Sequence, residues 1–203
     1  YPAWVSFKLG QTSLYAYPAV VFLLTRLLCG KSFSAGLVGL VAFIKLQYAP
    51  TLVLIGSIRG RLKFLTGAAI AGISLLVVSL FVVGPSNVLN YPHVLISGET
   101  SARLSGVNPE SMQNVRGLLT VLMEQAALPS KLAMIIFLLS LPLIAWLWLR
   151  VYPKSPSVRR FQLVASLSLL IALAASPHTH SQDYLLASIA CIWIWINYAG
   201  ADV

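Results

Sequence analysis

Lys131-Leu-Ala-Met-Ile-Ile-Phe-Leu-Leu-Ser-Leu-Pro-Leu-Ile-Ala-Trp-Leu-Trp-Leu-Arg150-Val151 is the stretch that decides the fold. No charge interrupts it between Lys131 and Arg150. Wound as a helix rising ~1.5 Å per residue, it reaches across the ~30 Å of a bilayer's hydrocarbon. Five other apolar stretches accompany it, at residues 13–29, 33–58, 64–83, 161–175 and 184–198. In hydrocarbon every backbone N–H needs an internal partner, and no stretch alternates apolar and polar residues as a barrel strand would. The expectation is an all-α, polytopic integral membrane protein of six to seven membrane helices, with residues 1–203 forming one transmembrane domain.

Composition points the same way. Hydrophobic residues make up 58% of the chain and charged residues only 9%, against roughly 25% charged in a typical soluble domain. A water-facing exterior cannot be built from so few charges. The net charge of +9 would suggest nucleic acid in a soluble protein, but here the basic residues fall in short clusters between apolar runs. That pattern records membrane topology, so no nucleic-acid partner is expected. Cys29 and Cys191 lie in apolar surroundings without paired spacing, and read as small core residues rather than a disulfide or zinc ligands. The chain starts at Tyr1 with neither a methionine nor a signal peptide, which suggests a fragment lacking N-terminal sequence.

The clusters Arg59, Arg61, Lys63 and Arg150, Lys154, Arg159, Arg160 should both be cytoplasmic. Residues 84–130 then form an extracytoplasmic loop. Within it, Met112, Val115, Leu118, Leu119, Leu122 and Met123 recur at helical spacing, predicting an interfacial helix over 111–128. By the same alternation the polar knot Ser176-Pro-His-Thr-His-Ser-Gln-Asp183 is also external.

Stretch 33–58 admits two readings, because Lys45, Gln47 and Pro50 interrupt it. One straight span would put Arg26 and Lys31 outside, against the charge rule. A hairpin broken near Lys45–Pro50 keeps Arg26, Lys31 and Arg59 together inside, and is the favoured reading because proline removes a helix donor and restricts its predecessor.

Several polar residues could carry chemistry. An ammonium such as Lys45 within an apolar run costs roughly 2.5–3.5 kcal/mol on insertion scales, so it should meet an anionic ligand such as phosphate, or else snorkel to the headgroups. His178, His180 and Asp183 gather two of the three histidines and one of five acidic residues. They could contact a phosphate, relay protons or hold a metal; alternatively the loop is a polar turn whose Asp183 caps the last helix. His-x-His with one carboxylate is a weak metal pattern, and no metal or other cofactor is expected. Gln11, Thr12 and Ser13 could line a pocket at the mouth of the first span or simply cap its helix. The chain has no phosphate-binding loop of the Walker type, no dinucleotide fingerprint and no nucleophile elbow, which argues against a soluble nucleotide-driven reaction.

The order of motifs resembles glycosyltransferase family 87. Phe7-x-Leu-Gly-Gln-Thr-Ser comes first, followed by Ala35-Gly-Leu-Val-Gly-Leu-Val-Ala-Phe-Ile-Lys45 with Pro50 and Arg59-Gly-Arg-Leu-Lys63. Asn114-Val-Arg-Gly-Leu-Leu119 and then Ser176-Pro-His178 with Asp183 continue the pattern. The resemblance implies a GT-C-like helical bundle and an enzyme that moves a sugar, typically mannose, from a polyprenyl-phosphate carrier to a lipid or glycan acceptor. The reaction would take place on the extracytoplasmic face, in a bacterial plasma membrane. It also implies a catalytic carboxylate in an external loop upstream of this chain, since no acidic residue precedes Glu99. Lys45, His178 and His180 are the expected donor-phosphate ligands, and Gln11, Gln47, Asn114, Arg116 and Asp183 the expected pocket lining. A transporter or flippase of an anionic lipid would also want a buried lysine and a broken helix, but should show repeats, which this sequence lacks. A structural subunit of a larger membrane complex is a third reading.

Overall fold

The computed structural model describes residues 13–42, 45, 48–100, 112–123, 127–151 and 157–199. Every regular element among them is helical. Helix α1, Ser13–Leu28, buries Ala16, Ala19, Val20, Leu23, Leu24 and Leu27. These positions recur every three or four residues, so one stripe of the helix faces the core while Tyr15 and Phe22 face out.

The interrupted stretch folds as a hairpin. Helix α2, Ser32–Ala42, ends before Lys45, and helix α3, Ala49–Val83, begins after Tyr48 with Pro50 in its first turn. Proline is tolerated there because the first N–H groups of a helix have no intrahelical acceptor. Helix α3 is itself bent at Arg61, whose φ of 47° and ψ of −139° are non-helical. Gly56 and Phe64 would be ~12 Å apart along a straight helix, yet a Cβ on Gly56 would overlap the Phe64 ring. The chain therefore turns sharply at the Arg59–Lys63 cluster. Helix α2 packs along the segment beyond the turn, where a Cβ on Gly36 would strike the Phe64 carbonyl oxygen and one on Gly67 the Phe33 carbonyl oxygen. The two glycines let these backbones touch, much as small residues do between membrane helices.

Helix α4, Pro85–Thr100, follows Gly84, whose φ of 84° suits the turn out of α3. The sequence pattern predicts loop here, within the external stretch 84–130. Its apolar side chains Leu89, Tyr91 and Val94 remain exposed, so among its described side chains, residues 85–94, no periodic buried face announces the helix. Helix α5, Val115–Leu122, lies within the expected 111–128 helix and is shorter than expected, since Asn114 and Met123 on either side are extended; Met112 packs inside as the chain enters it. Helix α6, Ala127–Trp146, continues into a π-helical turn, Leu147–Val151. Helix α7, Val158–Ala175, is capped by Ser157, whose Oγ accepts from the Arg160 N–H at 3.3 Å, and helix α8, Leu185–Ala199, returns alongside it.

An aromatic group locks α6, α7 and α8 together. Trp148 and Phe161 meet edge to face at 5.4 Å, and Phe161 and Trp193 at 6.5 Å. The indole N–H of Trp148 donates to Ser168 Oγ at 3.0 Å, so the one polar atom of this large buried side chain is paired. Outward, α3 shows Ile73, Val78, Phe81 and Val82, and α6 shows Ile135, Leu138, Leu139 and Leu143. Apolar faces this extensive are consistent with lipid rather than water as their solvent. Ala49–Val83, Leu128–Arg150 and Val158–Ala175 are long and apolar enough to cross a bilayer, and Leu14–Leu28 and Leu185–Ala199 are shorter apolar helices. The protein is an all-α membrane protein. Cys29 and Cys191 depart from expectation: both are exposed.

Candidate functional site

Three separate pieces of chain meet at one end of the bundle: the α2–α3 link at Lys45, the α5 entry, and the α7–α8 loop with the turn that opens α8. The link brings Lys45, whose side chain is 11% exposed. Its Nζ lies 2.8 Å from Oδ1 of Asp183, a carboxylate 1% exposed. Lys45 therefore does not snorkel. The buried charge is compensated across 138 residues of sequence by an acid that no local pattern connects to it.

Asp183 is held from both sides. Its Oδ2 accepts the His180 N–H at 3.1 Å, and its own N–H donates to the His180 carbonyl at 2.9 Å. This reciprocal pair sets the short 3-10 turn Ser181–Tyr184 ahead of α8. The carboxylate thus ties the loop to Lys45. The His178 and His180 rings stand edge to face with centroids 4.9 Å apart. Burial, and then the neighbouring His178, lower the pKa of His180 below 6.5; Asp183 opposes the shift, while Lys45 and Arg116 add to it.

Residues 112–117 close the site. Asn114 does two jobs at the start of α5: its Oδ1 accepts the Gly117 N–H at 2.9 Å, and its Nδ2 donates to the Ser176 carbonyl at 2.7 Å. Asparagine suits both, since it offers an acceptor to a helix N-terminus and donors to a second partner. Gly117 is required beside it, because a Cβ there would overlap the Met112 carbonyl. Arg116, 1% exposed, donates from Nη1 to the Pro177 carbonyl at 3.1 Å. The Gln113 N–H donates to the Thr179 carbonyl at 3.2 Å, and the Tyr184 hydroxyl donates to the Gln113 carbonyl. Tyr48 Oη lies 3.4 Å from Thr179 Oγ1.

Of the residues singled out from sequence, Lys45, Asn114, Arg116, His178, His180 and Asp183 come together. Gln11 and Gln47 lie outside the described residues. Tyr48, Thr179 and Tyr184 were missed. Tyr48 carried a usable signal, a polar-tipped aromatic in the break before Pro50, whereas Thr179 and Tyr184 had only their place in or beside the histidine loop. Among the described residues no group of three or more His, Cys, Asp or Glu side chains is disposed to hold a metal ion.

Residues 1–177 match the family model of glycosyltransferase family 87. The chain belongs to that family. It is thus a membrane glycosyltransferase, acting on a sugar donor and an acceptor. The match covers Lys45, Asn114, Arg116 and Ser176-Pro177 and stops one residue short of His178. The histidines and Asp183 of this family member are joined to the matched region by the contacts described above. No curated protein and no solved structure matches the chain.

Proposed function

We propose that the cluster receives the phosphate of a polyprenyl-phosphate-linked sugar, and that the protein transfers the sugar, mannose, to a lipid or glycan acceptor. The reaction is placed at the extracytoplasmic face of a bacterial plasma membrane. One observation supports this reading: Lys45, Arg116, His178 and Asp183 all lie within electrostatic reach of His180, so an excess of cationic and donor groups over a single carboxylate gathers at one end of an apolar bundle. A dianionic or monoanionic phosphate offsets that excess, and a prenyl chain suits the apolar faces beside it.

In the transfer, the acceptor oxygen bonds to the anomeric carbon as the bond to the phosphate oxygen breaks, and the acceptor proton passes to a base. The departing phosphate gains charge, so donors already aimed at it stabilise the transition state more than the ground state. Lys45 and His178 are assigned to that phosphate, with His180 as a further donor. Asp183 is engaged through both oxygens and is not assigned as the base. No cofactor is invoked.

The test measures mannose transfer from polyprenyl-phosphate mannose by the full-length protein in native membranes or lipid nanodiscs. Lys45→Met and His178→Ala should each lower transfer by about ten- to a hundredfold, the loss expected for one charge-assisted hydrogen bond of ~1.5–3 kcal/mol. Lys45→Arg should keep more activity than Lys45→Met, because the charge survives. Transfer by Lys45→Met at the wild-type rate would overturn the phosphate assignment.

A further inference from the structure

The Lys45–Asp183 pair joins two segments that share no secondary structure, the link of the α2–α3 hairpin and the histidine loop. The two partners are anchored unequally. Asp183 is 1% exposed, and its carboxylate and backbone are tied to His180 by two reciprocal hydrogen bonds. Lys45 stands in a break between helices, on a flexible four-carbon stem. An ammonium has three N–H donors. The contact with Oδ1 uses one of them and leaves others to meet a second anion. The arrangement therefore has a fixed member, the carboxylate, and an adjustable member, the amine.

We propose that Asp183 is a positioning residue, which aims the Lys45 ammonium at the donor phosphate while holding the His178–His180 loop in register with it. The proposal rests on the phosphate reading above and assigns Asp183 a role in it that acts through Lys45. A single carboxylate oxygen would not suffice for this. Oδ2 fixes the loop, Oδ1 fixes the lysine, and the spacing between phosphate ligands on two different segments follows from both at once. A lysine without its carboxylate partner in this partly buried setting would be an uncompensated charge. Phosphate binding need not displace Asp183, because the two anions use different N–H groups of one ammonium.

The test is a double-mutant cycle on donor kinetics in the full-length protein, using wild type, Asp183→Asn, Lys45→Met and the double variant. Asparagine keeps an oxygen for the His180 N–H but turns an amide N–H₂ toward the ammonium, so the loop persists while Lys45 is released. Asp183→Asn should lose about tenfold in kcat/KM for the polyprenyl-phosphate sugar, the scale of one misdirected charge-assisted contact, with KM for the acceptor unchanged. In the Lys45→Met background the same substitution should cost little further, because its effect runs through the missing amine. Thermal unfolding of the four proteins supplies the structural readout. Should Lys45→Met be impaired while Asp183→Asn matches wild type, or should the two losses multiply in full, the positioning role is overturned and the phosphate reading stands. Should Lys45→Met be unimpaired, the phosphate reading falls first. A kinetic loss in Asp183→Asn that disappears once the proteins are compared at equal folded fraction also overturns the role, since a structural contribution alone would explain it.

Discussion

His180 shows how one residue reports its surroundings. Burial and the facing His178 lower its pKa, outweighing Asp183, with Lys45 and Arg116 acting in the same direction as burial. Its folded pKa lies below that of the unfolded chain, so its contribution to stability is present above about pH 6.5 and is lost as pH falls through the folded value. The thermal midpoint of the purified protein should drop on going from about pH 7.5 to about pH 5.5, and His180→Gln should shrink that drop. A pH dependence identical in the variant would show that other groups control it. Neutral His180 can still donate one ring N–H to a phosphate, so its assigned part does not require a positive charge. Lys45 and His178 were legible as candidates because a cation in an apolar run and two clustered histidines stand out by composition. Their relation to one another was not, since no local pattern ties Lys45 to an acid 138 residues away, and folding alone brings Asp183 against it.

Among the elements, the α2–α3 hairpin was readable from Lys45, Gln47 and Pro50, and the break at Arg61 from the basic cluster that separates stretch 33–58 from 64–83; how tight that turn is was not. A basic cluster with one glycine signals a cytoplasmic loop, but the apolar residues on either side continue a helical pattern almost without a break. The turn lets α2 lie against α3 with Gly36 and Gly67 in backbone contact. Gly36→Ala should therefore destabilise the protein by roughly 1–3 kcal/mol, because the obstacle is a main-chain carbonyl that cannot rotate away. Gly72, with nothing within 4 Å of a built Cβ, is the control: Gly72→Ala should be neutral or stabilising by up to ~1 kcal/mol through helix propensity. Equal unfolding midpoints for Gly36→Ala and wild type in detergent would contradict the close crossing. Helix α4 went unread for the opposite reason: its described side chains, residues 85–94, bury no clear stripe, and periodicity announces a helix by its two unlike faces.

For the whole molecule, the polar end and the basic ends are separated along the helices. Ser176 and the histidine loop close one end of α7, and Arg159 and Arg160 sit at the other. The α3 arm runs in the same sense from Tyr48, beside Thr179, to the Arg59–Lys63 turn. With Cys29 and Cys191 first replaced, a membrane-impermeant maleimide applied to intact cells should label Gln113→Cys and spare Val158→Cys. Both positions are exposed, and the expectation follows from basic residues remaining on the cytoplasmic side. The reverse labelling would move the proposed reaction to the other face.

The order of residues was enough to fix the solvent and the helical class of the fold. A chain with 9% charged residues and long apolar runs can only be helical in lipid, and its basic clusters divide the loops into two kinds. It also marked most of the residues that meet in the site, because polar groups are costly in such a chain and so are few. What the tertiary structure alone decided was the pairing. Lys45 with Asp183, Asn114 with Ser176, and Arg116 with Pro177 each join segments far apart in sequence. Helical periodicity relates a residue to neighbours three and four positions away, so it carries no information about such partners. Packing supplies it, when α2, α5 and α7 bring their polar ends to one place and each buried charge or amide must find its partner there.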